Sequence, residues 1–216
     1  HFGLSESMLS ELFGSREHDI EVSATADCRA HDIIHSMAVN VLTPSDQEYS
    51  LGRIGMLEVT GVVGIGGAGV VYKAVDSTLG RTVAVKLLNP ALKKHEASRL
   101  RFAREARAMA SINHENVVPV YGVSEHLGIP YFVMEYVSGE TLAQRIERHG
   151  PLSTLEVTRL GYQIALGLGA AHKQGVIHRD VKPSNILLDP GVERVRVADF
   201  GLARCASDVT QTEAGA

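Results

Sequence analysis

The sequence predicts an α+β fold: a small lobe of antiparallel strands carrying one helix, followed by a mainly helical part. Two observations lead there. Leu57–Val63, Val70–Val75 and Thr82–Leu88 are short β-branched runs divided by Gly-rich or Gly-Arg turns, which is hairpin text. Beyond residue 138 the text turns helical, with a long segment opened by Ser153 and Glu156 and closed at Gly175.

Residues 1–55 are weakly patterned. Leu4, Met8, Leu9, Leu12 and Phe13 suit a short helix over 4–13, and Asp32 to Val41 suits a second. Thr43-Pro44-Ser45-Asp46 reads as a linker. This region holds three Lys/Arg against nine Asp/Glu, and the first lysine of the chain is Lys73. That charge shift supports a boundary near residues 50–57. The division is an acidic region 1–55, a small lobe 56–137 and a second part 138–216.

After the three strand runs, residues 96–112 read as a helix with Leu100, Ala103, Ala106, Met109 and Ala110 on one face. Val117–Val123 and Tyr131–Val137 are strand-like around a turn at Gly128-Ile129-Pro130. Thr141–His149 is a short helix stopped by Gly150-Pro151. In the next helix Ser153 and Glu156 form a capping box, each side chain meeting a backbone N–H of the other. Gly161, Gly167 and Gly169 within it weaken the helix and mark places where another backbone packs close. Ile186–Leu188 and Arg194–Ala198 are strands joined by Asp189-Pro190-Gly191.

Composition narrows the functional classes. The chain has 216 residues, 44% hydrophobic and 21% charged, which is ordinary globular usage. A net charge of −4 argues against nucleic acid as a partner, because phosphate neutralisation needs a basic surface. Two cysteines, Cys28 and Cys205, make no disulfide framework and fit a reduced, cytoplasmic setting. No apolar run approaches the roughly 20 residues that span a bilayer. Both ends read as truncations.

Four strings carry chemistry. Gly64-Ile65-Gly66-Gly67-Ala68-Gly69-Val70-Val71 has glycines at a spacing that lets backbone N–H groups approach phosphates. Dinucleotide-binding folds use nearly the same string, but between a strand and a helix; here both flanks are strand-like. Val83-Ala84-Val85-Lys86 ends an apolar strand in a lysine. That suits an ammonium aimed into a cleft at a ligand's phosphates, with Glu105 as the carboxylate that holds it. The bland alternative for Glu105 is a surface pair with Arg101. His178-Arg179-Asp180-Val181-Lys182-Pro183-Ser184-Asn185 is the most specific string. Asp180 can take a proton from a hydroxyl, Lys182 can neutralise a phosphoryl group, and Asn185 can offer a carbonyl oxygen to Mg²⁺. Asp199-Phe200-Gly201 supplies a second oxygen ligand, with Phe200 packing inward.

Taken in order and context, residues 57–212 resemble the bacterial Hanks-type serine/threonine protein kinases. The string Arg101-Phe102-Ala103-Arg104-Glu105-Ala106-Arg107-Ala108 is similar to the αC helix of bacterial members. The resemblance implies a bilobal fold, with an antiparallel-sheet N-lobe bearing αC and an incomplete helical C-lobe that ends within the activation segment. It implies ATP with Mg²⁺, or Mn²⁺ in its place, and protein Ser/Thr hydroxyls as acceptors. Gly64, Ile65, Gly66, Gly67 and Gly69 would cover ATP, and Lys86 paired to Glu105 would bind its α- and β-phosphates. Asn185 and Asp199 would hold the metal, and Asp180 would act on the acceptor. Adenine would lie between Val71 and Ala84 above and Leu187 below, next to Met134 and the backbone of Glu135 and Val137.

Lys182 two residues after Asp180 is similar to serine/threonine rather than tyrosine kinases. Arg179 matches kinases switched on by activation-loop phosphorylation, since a phosphate of about −2 charge would pair with it. Thr210 and Thr212 resemble the autophosphorylated pair, which implies transient homodimers for reaction in trans and, for an intact protein, room for a membrane anchor beyond residue 216. A second reading, an ATP-binding scaffold without transfer, stays open because the segment after Thr212 lacks the family's remaining helices. Cys28, His31 and His35, with His18, suggest zinc only weakly; a helical linker or a piece of an upstream domain ranks above it.

Overall fold

The computed structural model describes residues 41–66, 69–89, 96–190 and 194–200, without the side chains of residues 96–98, 101 and 105. The helices expected at 4–13 and 32–41, the residues suggested for zinc, and Thr210 and Thr212 lie outside the described residues, apart from Val41.

Six strands form an antiparallel sheet: β1 (Gly52–Ile54), β2 (Leu57–Gly66), β3 (Gly69–Asp76), β4 (Arg81–Leu88), β5 (Val120–His126) and β6 (Ile129–Glu135), in the order β1-β2-β3-β4-β6-β5. Helix α1 (Glu96–Ala110) lies between β4 and β5 in sequence. A second sheet of β7 (Glu140–Thr141), β8 (Ile186–Leu188) and β9 (Val195–Val197) belongs to the helical part, with α2 (Leu142–His149), α3 (Thr154–Lys173) and a single 3₁₀ turn at Pro183–Asn185. Among the described residues no helix is long and apolar enough to cross a membrane.

The sheet interior follows the sequence pattern. All of Val83–Leu88 is buried, as a strand covered on both faces must be. α1 packs by Phe102, Ala106 and Met109, spaced i, i+4 and i+7, with the Phe102 ring 5.5 Å from Phe132. The expected face is thus turned. Leu100 and Ala110 are exposed, and Phe102 holds the central position. A ring this large recovers more apolar area than leucine, and it decides the rotation of the helix.

Two details of the strands were not legible. The β5–β6 turn is Leu127-Gly128, both at positive φ (51° and 72°), rather than Gly128-Ile129-Pro130. Two consecutive left-handed residues match the twist of a two-residue hairpin. β1 precedes the boundary placed after residue 55, and it pairs Gly52–Ile54 with Leu57–Val59. Residues 41–54 are held to the sheet by the Thr43–Arg53 bridge. Buried His126 accepts from the Gly55 N–H through Nδ1 (3.2 Å), and its Nε2 lies 3.1 Å from the Val41 carbonyl.

The capping box at α3 is present: Ser153 N–H donates to Glu156 Oε2 (2.8 Å) and Glu156 N–H to Ser153 Oγ (3.3 Å). Hydrogen bonding from the Ser153 N–H first, and from the Ser153 side chain, holds the Glu156 carboxyl below its ordinary pKa. α2 carries a matching box between Thr141 and Gln144. Of the three α3 glycines only Gly167 meets another backbone: a Cβ there would stand 2.6 Å from the Asn116 carbonyl oxygen. A Cβ on Gly161 or Gly169 would meet no described atom beyond its own helix within 4 Å. Gly161→Ala and Gly169→Ala are therefore expected to raise stability by roughly 0.5–1 kcal/mol each, and Gly167→Ala to lower it. Urea unfolding of the three variants checks this; a stabilised Gly167→Ala would contradict the contact.

Candidate active site

Chain direction places the two loops that carry the chemistry side by side. In the loop after α3, His178 is buried and anchored: its Nε2 lies 2.8 Å from the Ala198 carbonyl, and its Nδ1 accepts from Asp180 N–H (3.3 Å). Its ring lies 4.5 Å from the Phe200 ring. The carbonyl can only accept, so Nε2 carries the proton. Phe200 is buried, as expected for an inward-packing residue. One histidine thus ties the loop of Asp180 to the residue just before Asp199. Arg179, at φ 65°, turns the chain sharply, so that it is exposed while its neighbour His178 is buried.

Asp180 Oδ2 receives Lys182 Nζ at 3.0 Å and Asn185 Nδ2 at 3.2 Å. The same Nδ2 donates to the Asp180 backbone carbonyl (2.9 Å). Asn185 is buried, and its backbone carbonyl accepts from Ala198 N–H (2.9 Å). Its amide nitrogen is therefore committed to Asp180, which turns the side-chain oxygen toward other work. Asp199 sits at φ 57°, a conformation aspartate tolerates better than most residues.

Asp199 Oδ2 meets Lys86 Nζ at 2.7 Å. Lys86 is only 5% exposed, so its ammonium needs this partner. The expected partner was Glu105. Its side chain lies outside the described residues; among those described, the carboxylate on Lys86 is Asp199. Sheet register accounts for the position of the lysine: Val71 stands opposite Lys86, and Ala84 opposite Met134. Directly paired residues share a face, and so do residues two apart. Val71, Ala84, Lys86 and Met134 therefore line one face of the sheet, as the adenine expectation requires. Leu187 is on β8, half-buried.

The glycine-rich segment is described up to Gly66 and again from Gly69. Gly67 lies outside it. Gly64 pairs with Val71 and Ile65 with Val70, and a Cβ on Gly64 would meet no atom within 4 Å. Gly69 is needed for a different reason: its φ is +139°, and a Cβ there would lie 1.9 Å from the Leu87 carbonyl oxygen.

The connection between the lobes is held from both sides. Glu135 N–H donates to the Pro119 carbonyl (3.0 Å), so of its two backbone groups only the carbonyl can serve a ligand's donor. Lys73 Nζ lies 4.9 Å from the centroid of the Tyr136 ring. Val137 is half-buried. Gly139 follows, where a Cβ would stand 1.6 Å from the Leu188 carbonyl oxygen.

Sequence reasoning missed two residues here. Buried Asn116 donates through Nδ2 to the Val195 carbonyl (2.8 Å) and to Gln163 Oε1 (3.1 Å), joining α3 to β9. Arg196 joins β9 to Glu135 (2.7 Å) and Asp189 (3.1 Å). Burial opposes its charge, but the two carboxylates outweigh this and hold the guanidinium protonated. No local signal marks Asn116, whose partners are distant in sequence. An arginine alternating with valines in a short strand was a signal for Arg196.

A separate cavity of about 640 Å³ lies between α2, α3 and the end of β8. Arg145, Arg148 and Arg194 on its wall are paired with Glu156, Glu140 and Asp189. Its wall includes none of Lys86, Asp180, Lys182, Asn185 and Asp199.

This chain belongs to the protein kinase family: the family description "Protein kinase domain" matches residues 57–215. Among its relatives, the serine/threonine-protein kinase PrkC of Bacillus subtilis is 39% identical over 158 residues, covering 73% of this chain and 24% of the relative. PknB of Mycobacterium tuberculosis is 39% identical over 182 residues, covering 80% and 28%. The chain thus spans about a quarter of the length of its curated relatives. Among solved structures, a double mutant of the Mycobacterium tuberculosis PknI kinase domain aligns with a TM-score of 0.64 at 30% identity, covering 69% of this chain and 60% of that one. The expected fold, a sheet-rich N-lobe and a partial helical C-lobe, is the one found.

Proposed function

We propose that this chain is the nucleotide-binding and catalytic part of a serine/threonine protein kinase of bacterial signalling, transferring the γ-phosphate of ATP to protein hydroxyls. The observation that supports this most is the convergence on one side of the fold of Asp180, Lys182, Asn185, Asp199 and Lys86, joined through His178 and Ala198.

Asp180 orients the acceptor hydroxyl and takes its proton, and Lys182 neutralises charge beside it. Asn185 offers a carbonyl oxygen and Asp199 a carboxylate, a donor set that suits Mg²⁺ or Mn²⁺. When bound, the ion would offset the negative charge that grows on the phosphoryl oxygens. Lys86 holds the α- and β-phosphates, with Glu105 as its second carboxylate. Its present pairing with Asp199 keeps both charges satisfied until a ligand separates them. Gly64, Ile65, Gly66, Gly67 and Gly69 cover the phosphates, and Val71, Ala84, Met134 and Leu187 enclose the adenine. The Glu135 carbonyl and the Val137 backbone read its edge. Residues ahead of β1 serve as a linker or the end of an upstream domain, β1 to residue 137 as N-lobe and hinge, and 138–216 as partial C-lobe. Thr210 and Thr212 are the autophosphorylation sites, reached in trans by a second copy.

A second reading is ATP binding without transfer. It is favoured by one observation: Leu155, Tyr162 and Leu166, spaced i, i+7 and i+11, leave an apolar stripe of α3 exposed among the described residues, on the helix leading to the catalytic loop.

The test is incubation of the chain with Mg-ATP followed by intact mass spectrometry. Added phosphate that maps to Thr210 or Thr212, and is absent from Asp180→Asn, is the expected result. Mg-ATP binding without added phosphate would select the second reading. A chain that binds no nucleotide would refute both.

A further inference from the structure

Arg196 is buried, charged and unused by the catalytic scheme. It stands on β9 directly opposite Leu187 of β8. Directly paired residues project to the same face, so Arg196 shares the face of the residue expected beneath the adenine. Its guanidinium reaches out of the C-lobe hairpin to the hinge, where Nη1 lies 2.7 Å from Glu135 Oε2. The other edge of the fork is held at its base: Nε is 3.1 Å from Asp189 Oδ1 and Nη2 3.3 Å from Asp189 Oδ2.

Asp189 is a firm support. It is itself buried, is paired also with Arg194, and closes the hairpin by donating its N–H to the Arg194 carbonyl (3.0 Å). Glu135 is the movable end, with its side chain 31% exposed. Its N–H is taken by Pro119, and the next residue, Tyr136, lies under Lys73 from the N-lobe. Among the described residues, Arg196 is the C-lobe side chain that pairs with Glu135. A planar fork with one edge on Asp189 and the other on Glu135 fixes a distance as well as a charge, which a flexible ammonium does not.

We propose that Arg196 is a positioning residue for purine recognition. By holding the Glu135 carboxylate against the β8–β9 hairpin, it sets the hinge backbone relative to Leu187, so that the Glu135 carbonyl meets the 6-amino group of a purine stacked there. The proposal rests on the nucleotide-site reading above. A merely structural arginine would tie the lobes together without affecting which purine is preferred.

The test compares Kd values, by isothermal titration calorimetry, for Mg-ATP and for Mg-purine riboside triphosphate, which differs only in lacking the 6-amino group. The proteins are this chain, Arg196→Met, Arg196→Lys and Glu135→Gln. One hydrogen bond to the amino group should make the unmodified chain prefer ATP roughly five- to tenfold, with the ratio falling to within about twofold in Arg196→Met and Glu135→Gln. Affinity for purine riboside triphosphate should hardly change, and Arg196→Lys should fall between. Equal weakening of both nucleotides, with the preference intact, overturns the proposal. An unmodified chain that binds both equally also overturns it, while leaving the nucleotide site standing. A chain that binds neither refutes the nucleotide-site reading itself. If Arg196→Met fails to fold, Glu135→Gln decides alone, because it loosens the same contact from the partly exposed side.

Discussion

Asp180→Asn is expected to slow phosphoryl transfer by about two to four orders of magnitude while leaving Mg-ATP affinity within about threefold. The substitution keeps the shape of the side chain and removes its charge and basicity. Asp180 Oδ2 is where Lys182 Nζ and Asn185 Nδ2 converge, so the carboxylate is the acceptor for two donors. An amide can satisfy them only through its oxygen, and what remains facing an acceptor hydroxyl is an NH₂ group that cannot take a proton. In the proposed scheme nucleotide binding relies on Lys86, Asp199 and the hinge, which do not touch the changed atoms, and on Asn185, which keeps its bond to the Asp180 backbone carbonyl (2.9 Å). Initial rates of phosphate incorporation beside a nucleotide titration separate the two effects. A variant that keeps a third of the rate would remove Asp180 from the role of base. One that loses nucleotide affinity in parallel would show that the loop had collapsed instead.

Lys86→Met should be nearly as damaging, and in a different pattern. Lys86 is buried and its ammonium meets Asp199 at 2.7 Å. Methionine fills the space of the stem but leaves Asp199 without that partner. Because the Asp199 side chain is 30% exposed, water compensates in part, and the expected loss of stability is about 1–3 kcal/mol. Transfer should fall by about two to three orders of magnitude, since a fixed positive group beside developing negative charge is lost. Unlike Asp180→Asn, this variant should also bind Mg-ATP more weakly. Lys86→Arg should not rescue it, because a wide planar fork does not fit where a compact ammonium sits within a buried strand. Thermal unfolding and nucleotide titration test this together. Unchanged affinity in Lys86→Met would mean that Lys86 faces no phosphate.

Much of this was legible because the motifs are local. The string from His178 to Asn185 folds into a short loop whose members contact one another, so spacing along the chain translated directly into geometry. The capping box at Ser153 was readable for the same reason. What escaped depends on distance or on competition. The partners of Asn116 lie 47 and 79 residues away, and no local pattern announces them. The Thr141–Gln144 box had a signature, but it was masked because Thr141 was taken as the first helical residue rather than its cap. α1 was rotated because its many alanines allow several faces, and only the fit of Phe102 to Phe132 chooses among them. The pairing of Lys86 with Asp199 joins residues far apart in the chain and has no local signature either.

The segment at 116–119 has a wider consequence. It precedes β5 in the chain, yet Asn116 and Val118 exchange backbone bonds with Val197 (2.9 and 3.0 Å), and Pro119 receives Glu135 N–H (3.0 Å). The first lobe therefore lends a piece of backbone to the second before its own sheet is finished. A chimera spliced at the hinge would set foreign backbone against β9, and its halves would match only if residues 116–119 travelled with the strand they edge. Recombination has no clean seam here, and the two lobes must be inherited as one unit.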